Sequence, residues 1–116
     1  MREILDELNA WQNGLKALKF SEIFKNGSEK VAFISVDMIN GFCCEGALAS
    51  KRVGELASHI ADTFRLAREK FDLKNYILIQ DAHEPNSAEF ASFPAHALKG
   101  DTQAEAVDDL RNLDFF

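Results

Sequence analysis

Positive charge is in short supply in this chain. Its 116 residues carry 13 Lys and Arg against 19 Asp and Glu, a formal charge of −6. Lys16, Lys19, Lys25, Lys30, Arg65, Arg68 and Lys70 are scattered as on a solvated surface, with no basic stripe to neutralise phosphates, which argues against a nucleic-acid partner. Long apolar runs are missing too. Nothing approaches the roughly 18–20 residues needed to cross a bilayer, and Met1-Arg2-Glu3-Ile4-Leu5-Asp6-Glu7 has acids where a signal peptide needs an apolar core. These absences lead to the expectation of a cytoplasmic protein with no membrane partner. Cysteine is limited to the adjacent pair Cys43 and Cys44, which cannot build a disulfide framework and lack the spacing of a zinc site. They read as two small loop residues, partly buried, rather than as a redox or nucleophilic pair. There is no repeat, low-complexity tract or linker, so the length fits one domain at most, and 47% apolar content can supply a modest core.

What is present alternates between two periodicities. Ile4, Leu5, Leu8, Trp11, Leu15 and Leu18 recur mostly at three and four and predict an amphipathic helix over residues 1–20. Asn26-Gly27-Ser28 signals a turn. Val31–Val36 is almost continuously apolar, as expected of a strand covered on both faces. After a loop from Met38 to Ser50, the positions Val53, Leu56, Ile60, Phe64, Ala67 and Phe71 predict one long helix, with His59 on its outer surface. Tyr76–Gln80 reads as a second strand, so strand, helix and strand make one βαβ unit with parallel strands. Thr102 followed by Glu105 fits a capping box opening a short helix through Ala106, Val107, Leu110 and Leu113. Two strands do not make a stable doubly wound sheet, and the closing Phe115-Phe116 has no obvious local partner. The chain therefore reads as the N-terminal part of a larger α/β fold.

Both strands end in an acid, Asp37 and Asp81, and ligands of open parallel sheets bind at the carboxyl ends of the strands. Asp81 and His83 are two apart, which on extended backbone sends both side chains to one side, where a carboxylate oxygen and an imidazole nitrogen can share a divalent ion. That mix suits Zn²⁺, Fe²⁺ or Mn²⁺ rather than Ca²⁺. His96 is a candidate third ligand from the following loop, and Glu89 a candidate fourth, or the holder of a bound water. From spacing alone Asp-x-His is a weak signal, and surface or hydrogen-bonded loop histidines are the stronger reading. Asp37 fits a general base beside a substrate loop, and equally an Asp that caps the next turn.

Taken together the blocks resemble a known family. Val36-Asp37-Met38-Ile39-Asn40-Gly41-Phe42, followed by Glu45-Gly46-Ala47-Leu48-Ala49-Ser50, is similar to the first motif of the isochorismatase-like cysteine hydrolases. Asp81-Ala82-His83-Glu84-Pro85-Asn86-Ser87-Ala88-Glu89-Phe90, with Phe93-Pro94-Ala95-His96 and Gly100-Asp101, resembles the metal-binding stretch of the nicotinamidases in that superfamily. The resemblance covers roughly residues 30 to 110. It implies a three-layer αβα, Rossmann-like parallel sheet, of which this chain supplies the N-terminal portion. It implies Asp37 as the aspartate that takes the proton of a nucleophilic cysteine. It also implies Asp81, His83 and His96 as metal ligands, with Glu89 near an acidic ligand position. Zinc is the first expectation for the metal, with iron and manganese behind it. In nicotinamidases the metal holds the pyridine nitrogen while the cysteine attacks the carboxamide, and water releases the thioester.

Gly41 stands where many members have Asp, Ala97 where Cys is usual after the histidine, and Asp101 where Thr is usual. The family's catalytic lysine and cysteine fall after the last residue of this chain, and neither Cys43 nor Cys44 takes the nucleophile's place. The resemblance thus implies a nicotinamidase-type hydrolase of a small carboxamide, incomplete and inactive alone. Its expected partners are the amide substrate, a C-terminal complementing segment or chain, and further copies in an oligomer. An isochorismatase-type hydrolase without a metal, or a non-catalytic metal-binding or assembly module, are the alternatives.

Overall fold

The computed structural model describes residues 1–115. Chain order begins with helix α1 (Arg2–Gly14) and a short α2 (Phe20–Ile23), followed by two 3-10 turns and strand β1 (Ala32–Val36). After β1 come α3 (Asn40–Cys43), α4 (Lys51–Gly54) and the long α5 (Leu56–Phe71), then strand β2 (Asn75–Ile79). Two more 3-10 turns precede α6 (Asp108–Arg111). The strands are parallel, with Ala32 opposite Asn75 and Val36 opposite Ile79, so the expected βαβ unit is present.

One face of this sheet is made by α5. Ala57, Ala61, Phe64 and Ala67 are its buried residues, spaced four, three and three along one stripe. Ala57, Ala61 and Phe64 pack with Met38, Cys43, Val107, Leu110 and Leu113, and against Phe33, Tyr76 and Leu78 of the strands. Three alanines let the helix approach the sheet, while Phe64 fills the space between. α5 ends on Asp72, whose φ of 53° lies in the left-handed region. The Asp72 N–H donates to the Arg68 carbonyl (3.1 Å) and the Leu73 N–H to Ala67 (3.2 Å), and Leu73 is fully buried behind the turn. Phe20, Phe24, Phe33 and Phe71 close one margin of this layer, with ring centroids 5.0–6.3 Å apart. Tyr76 and Phe115 pack in a tilted pair at 4.6 Å, with the Arg68 guanidinium 5.5 Å from the Phe115 ring, so Phe115 does have a partner. Phe116 lies outside the described residues.

Four expectations need correction. The opposite face of the sheet is bare: Ile34, Val36, Ile77 and Ile79 are 44–57% exposed, so β1 is covered on one side rather than two. The long helix is interrupted at Glu55, where Gly54 passes close to the Cys43 carbonyl and the chain divides into α4 and α5. Thr102 and Glu105 form no capping box. Asp101 caps the 3-10 turn instead, its Oδ1 accepting from the Gln103 N–H (3.1 Å), while Thr102 Oγ1 donates to Glu45 (2.6 Å). Residues 105–107 pair with Met38–Asn40, Asn40 N–H donating to Glu105 and Val107 N–H to Met38, so helix α6 is delayed to Asp108. Finally, the first helix stops at Gly14, and every residue from Met1 to Lys19 is exposed.

A Cβ at Gly54 would lie 2.6 Å from the Cys43 carbonyl oxygen, whereas at Gly14 it would meet nothing within 4 Å. Gly54→Ala is expected to destabilise by about 1–3 kcal/mol in urea unfolding, although Ala is the better helix former. Gly14→Ala should be neutral or stabilising by up to about 1 kcal/mol.

Candidate metal centre

Asp81 and His83 leave the carboxyl end of β2 on extended backbone, which is what sends their side chains to the same side. The segment after His96 returns to hold them there. His83 N–H donates to the Ala97 carbonyl (2.8 Å) and Lys99 N–H to the His83 carbonyl (2.9 Å), a parallel bridge between His83 and Leu98. Ala97 takes a φ of 43° at the turn into this bridge, and is fully buried. The second histidine is thereby delivered to the first.

Ligand atoms of Asp81, His83 and His96 lie within 4.8 Å of one another. His83 Nε2 is 2.8 Å from Asp81 Oδ2, and His96 Nε2 is 3.5 Å from the same oxygen. Glu89, on the 3-10 turn Ala88–Ala91, approaches from the loop, with Oε2 3.4 Å from His83 Nε2 and Oε1 3.7 Å from His96 Nε2. Tetrahedral zinc bonds of about 2.0–2.1 Å set neighbouring ligand atoms roughly 3.3 Å apart, and the observed separations bracket that figure. Asp81, His83 and His96, with this spacing and chemistry, could hold a divalent ion, and Glu89 lies near the two imidazoles.

The fit extends to the groups behind the ligands. His96 is 2% exposed, and its Nδ1–H donates to the Pro94 carbonyl at 2.8 Å. In a neutral ring that bond places the proton on Nδ1 and leaves Nε2, which faces Asp81, as the nitrogen that can bind a metal. Phe90 packs edge-on against both imidazoles (5.4 and 5.6 Å between centroids), and Phe42 lies 5.7 Å from His96. These rings restrict both histidines and dry one side of the site. Neither the Pro94 carbonyl nor the two phenylalanines is marked by ligand spacing. The only signal was position: Pro94 precedes His96 by two, a reach that a backbone carbonyl can cover.

Asp37 is half-buried at the same end of the sheet, one residue past β1, with its N–H donating to the Ile79 carbonyl (2.8 Å) and φ at 58°. Asp tolerates this left-handed conformation better than most residues. It does not join the Asp81/His83/His96 cluster. Two grooves lie beside the cluster, and none of its side chains lines them. One, about 530 Å³, runs along Leu78, Gln80, Asp101, Glu105 and Arg111; the other, about 400 Å³, is lined by Asn40, Cys43, Cys44 and Val107. Cys43 is buried, and that burial, with Cys44 beside it as a lesser cause, pushes its thiol above the ordinary value. Cys44 is exposed, its Sγ 3.6 Å from Asn40 Oδ1.

With this geometry in hand, comparison with known proteins is informative. No family model matches the chain. Nicotinamidase 1 of Arabidopsis thaliana is 30% identical over 93 residues, which are 77% of this chain and 38% of that protein. An isochorismatase-like hydrolase from Alkaliphilus metalliredigens, known as a crystal structure, is 29% identical with a TM-score of 0.59, over 67% of this chain and 44% of that one. The chain belongs to the isochorismatase-like superfamily, on its nicotinamidase-like side, and its fold is α/β with a parallel sheet. It spans well under half the length of these relatives. Among the described residues no helix is long and apolar enough to cross a membrane.

The thiols give the first chemical test. At pH 7, Cys44 should react with a maleimide at least about tenfold faster than Cys43, because Cys44 is exposed whereas Cys43 is buried and its thiol is raised by that burial. Equal rates, read by mass spectrometry of the digested chain, would contradict the burial of Cys43.

Proposed function

We propose that residues 1–116 are the N-terminal portion of a single isochorismatase-like hydrolase domain, with residues 1–20 as an additional helical arm. The portion contributes the metal ligands and the general base of a nicotinamidase-type amidase. The observation that carries this reading is the convergence of Asp81 Oδ2, His83 Nε2 and His96 Nε2 at the end of β2, with the His96 tautomer fixed by Pro94. Relatedness to a nicotinamidase over 93 residues supports it.

In this reading Asp81, His83 and His96 hold a divalent ion, zinc before iron or manganese, and Glu89 either completes the shell or orients a water. A bound ion would supply a positive anchor for a ring nitrogen of the substrate. Asp37 takes the proton of a cysteine thiol supplied from outside these residues, and that proton leaves with ammonia as the carboxamide becomes a thioester. Water then breaks the thioester, giving the acid and regenerating the thiol. The cysteine, and the lysine that accompanies it in the family, belong to a complementing segment or chain. The bare sheet face of Ile34, Val36, Ile77 and Ile79 is where added structure would bury most apolar surface.

Catalytic groups of this kind act as a unit, so the chain alone should release no ammonia from nicotinamide above the buffer rate. It should nevertheless retain about one equivalent of zinc, with His96→Ala weakening retention more than about a hundredfold, since a ligand loss exceeds the 10–100-fold cost of losing a supporting group. Hydrolysis by the isolated chain would overturn the division of labour. Failure to retain Zn, Fe or Mn would overturn the metal assignment and favour a metal-free isochorismatase-type hydrolase. Metal retention with no gain of activity on adding the complementing polypeptide would favour a non-catalytic metal-binding module.

A further inference from the structure

The arm formed by α1 has no place in the chemistry above, and among the described residues nothing buries it. Ile4, Leu5, Leu8, Trp11, Leu15 and Leu18 are 54–66% exposed. With no residue of Met1–Lys19 buried, the chain's radius of gyration is 17.3 Å, against about 13 Å for a compact domain of this length. Ile4, Leu8, Trp11, Leu15 and Leu18 are spaced four, three, four and three, the repeat of a two-helix seam. A lone 13-residue helix is marginal in water, so this seam needs a partner to persist.

Charge decides which partner. The first half of the arm carries Glu3, Asp6 and Glu7 against Arg2, and the second half carries Lys16 and Lys19 with no acid. A second copy in antiparallel alignment sets Leu8 against Trp11 and Ile4 against Leu15, and brings Glu3 beside Lys16. A parallel copy would stack acid on acid. In the single chain Lys16 has only an exposed contact with Glu22 at 3.7 Å, easily exchanged.

We propose that α1 is a self-association surface, pairing antiparallel with α1 of a second copy of this chain across Ile4, Leu8, Trp11 and Leu15. Leu15 follows the helix with an extended ψ of 132°. Pairing therefore draws Leu15 and Lys16 into a longer helix, so helicity rises on association.

Trp11 is the single tryptophan of the chain, which makes the test direct. Light scattering and Trp11 fluorescence are followed over a dilution series of the full chain. The expected result is a monomer–dimer transition in which the emission shifts to the blue as dimer forms. Leu8→Asp should weaken the dimer at least about a hundredfold while leaving the urea midpoint of the body unchanged, because Leu8 is exposed in the single chain. Glu3→Lys should weaken it roughly two- to fivefold, and adding Lys16→Glu should restore it. A chain that stays monomeric at every concentration overturns the proposal. So does a blue emission independent of concentration, which would mean that α1 folds onto its own sheet. A dimer that survives Leu8→Asp also overturns it, since association would then run through the bare sheet face.

Discussion

A buried imidazole has to satisfy both of its ring nitrogens, and at His96 that requirement organises the surrounding structure. Nδ1–H is taken by the Pro94 carbonyl, so in a neutral ring Nε2 is the nitrogen left to bind a metal. Nε2 then faces a carboxylate already paired with the other histidine. Two acidic groups and two imidazoles this close are costly if nothing positive lies among them, because like charges repel and the buried members have lost water. A divalent ion among them relieves that cost. The backbone bridge between His83 and Leu98 keeps the groups from moving apart to relieve it otherwise.

The rest of the fold serves the placement of that bridge. Parallel pairing of β1 with β2 brings Asp37 and Asp81 out at one end, and α5 fixes the pair from one side through three alanines and Phe64. On the other side Ile34, Val36, Ile77 and Ile79 are left exposed among the described residues. A parallel sheet with one bare face gains from any apolar layer laid on it, and the chain matches less than half of its relatives' length. Site and scaffold therefore share a property: each is organised on one side and open on the other.

Local signals in the sequence were strong where residue spacing maps onto geometry. The two strands leading to Asp37 and Asp81, the helix between them, and the placing of Asp81 and His83 on one side follow from periods of 2 and 3.6 and from an extended Asp-x-His, whereas the approach of His96 depends on the long-range bridge between His83 and Leu98. Order of the motifs, rather than any one of them, pointed to the family. What stayed hidden depends on contacts distant in sequence. The break at Glu55 arises because Gly54 meets the Cys43 carbonyl. The delay of α6 arises because residues 105–107 pair with Met38–Asn40, a backbone preference that no side chain announces. Tertiary pairing overrode a reasonable capping signal at Thr102 and Glu105. The aromatic set of Phe20, Phe24, Phe33 and Phe71 is similarly invisible until the turn around Gly27 brings it together.

The central claim is that one shell of nitrogen and oxygen ligands, drawn from Asp81, His83, His96 and Glu89, holds a divalent ion. X-ray absorption at the zinc edge of the zinc-loaded chain tests it most directly. The account predicts a shell of N and O at about 2.0–2.1 Å with the outer scattering of two imidazoles, and no sulfur. A sulfur shell near 2.3 Å would place the metal on Cys43 or Cys44 instead and contradict the account.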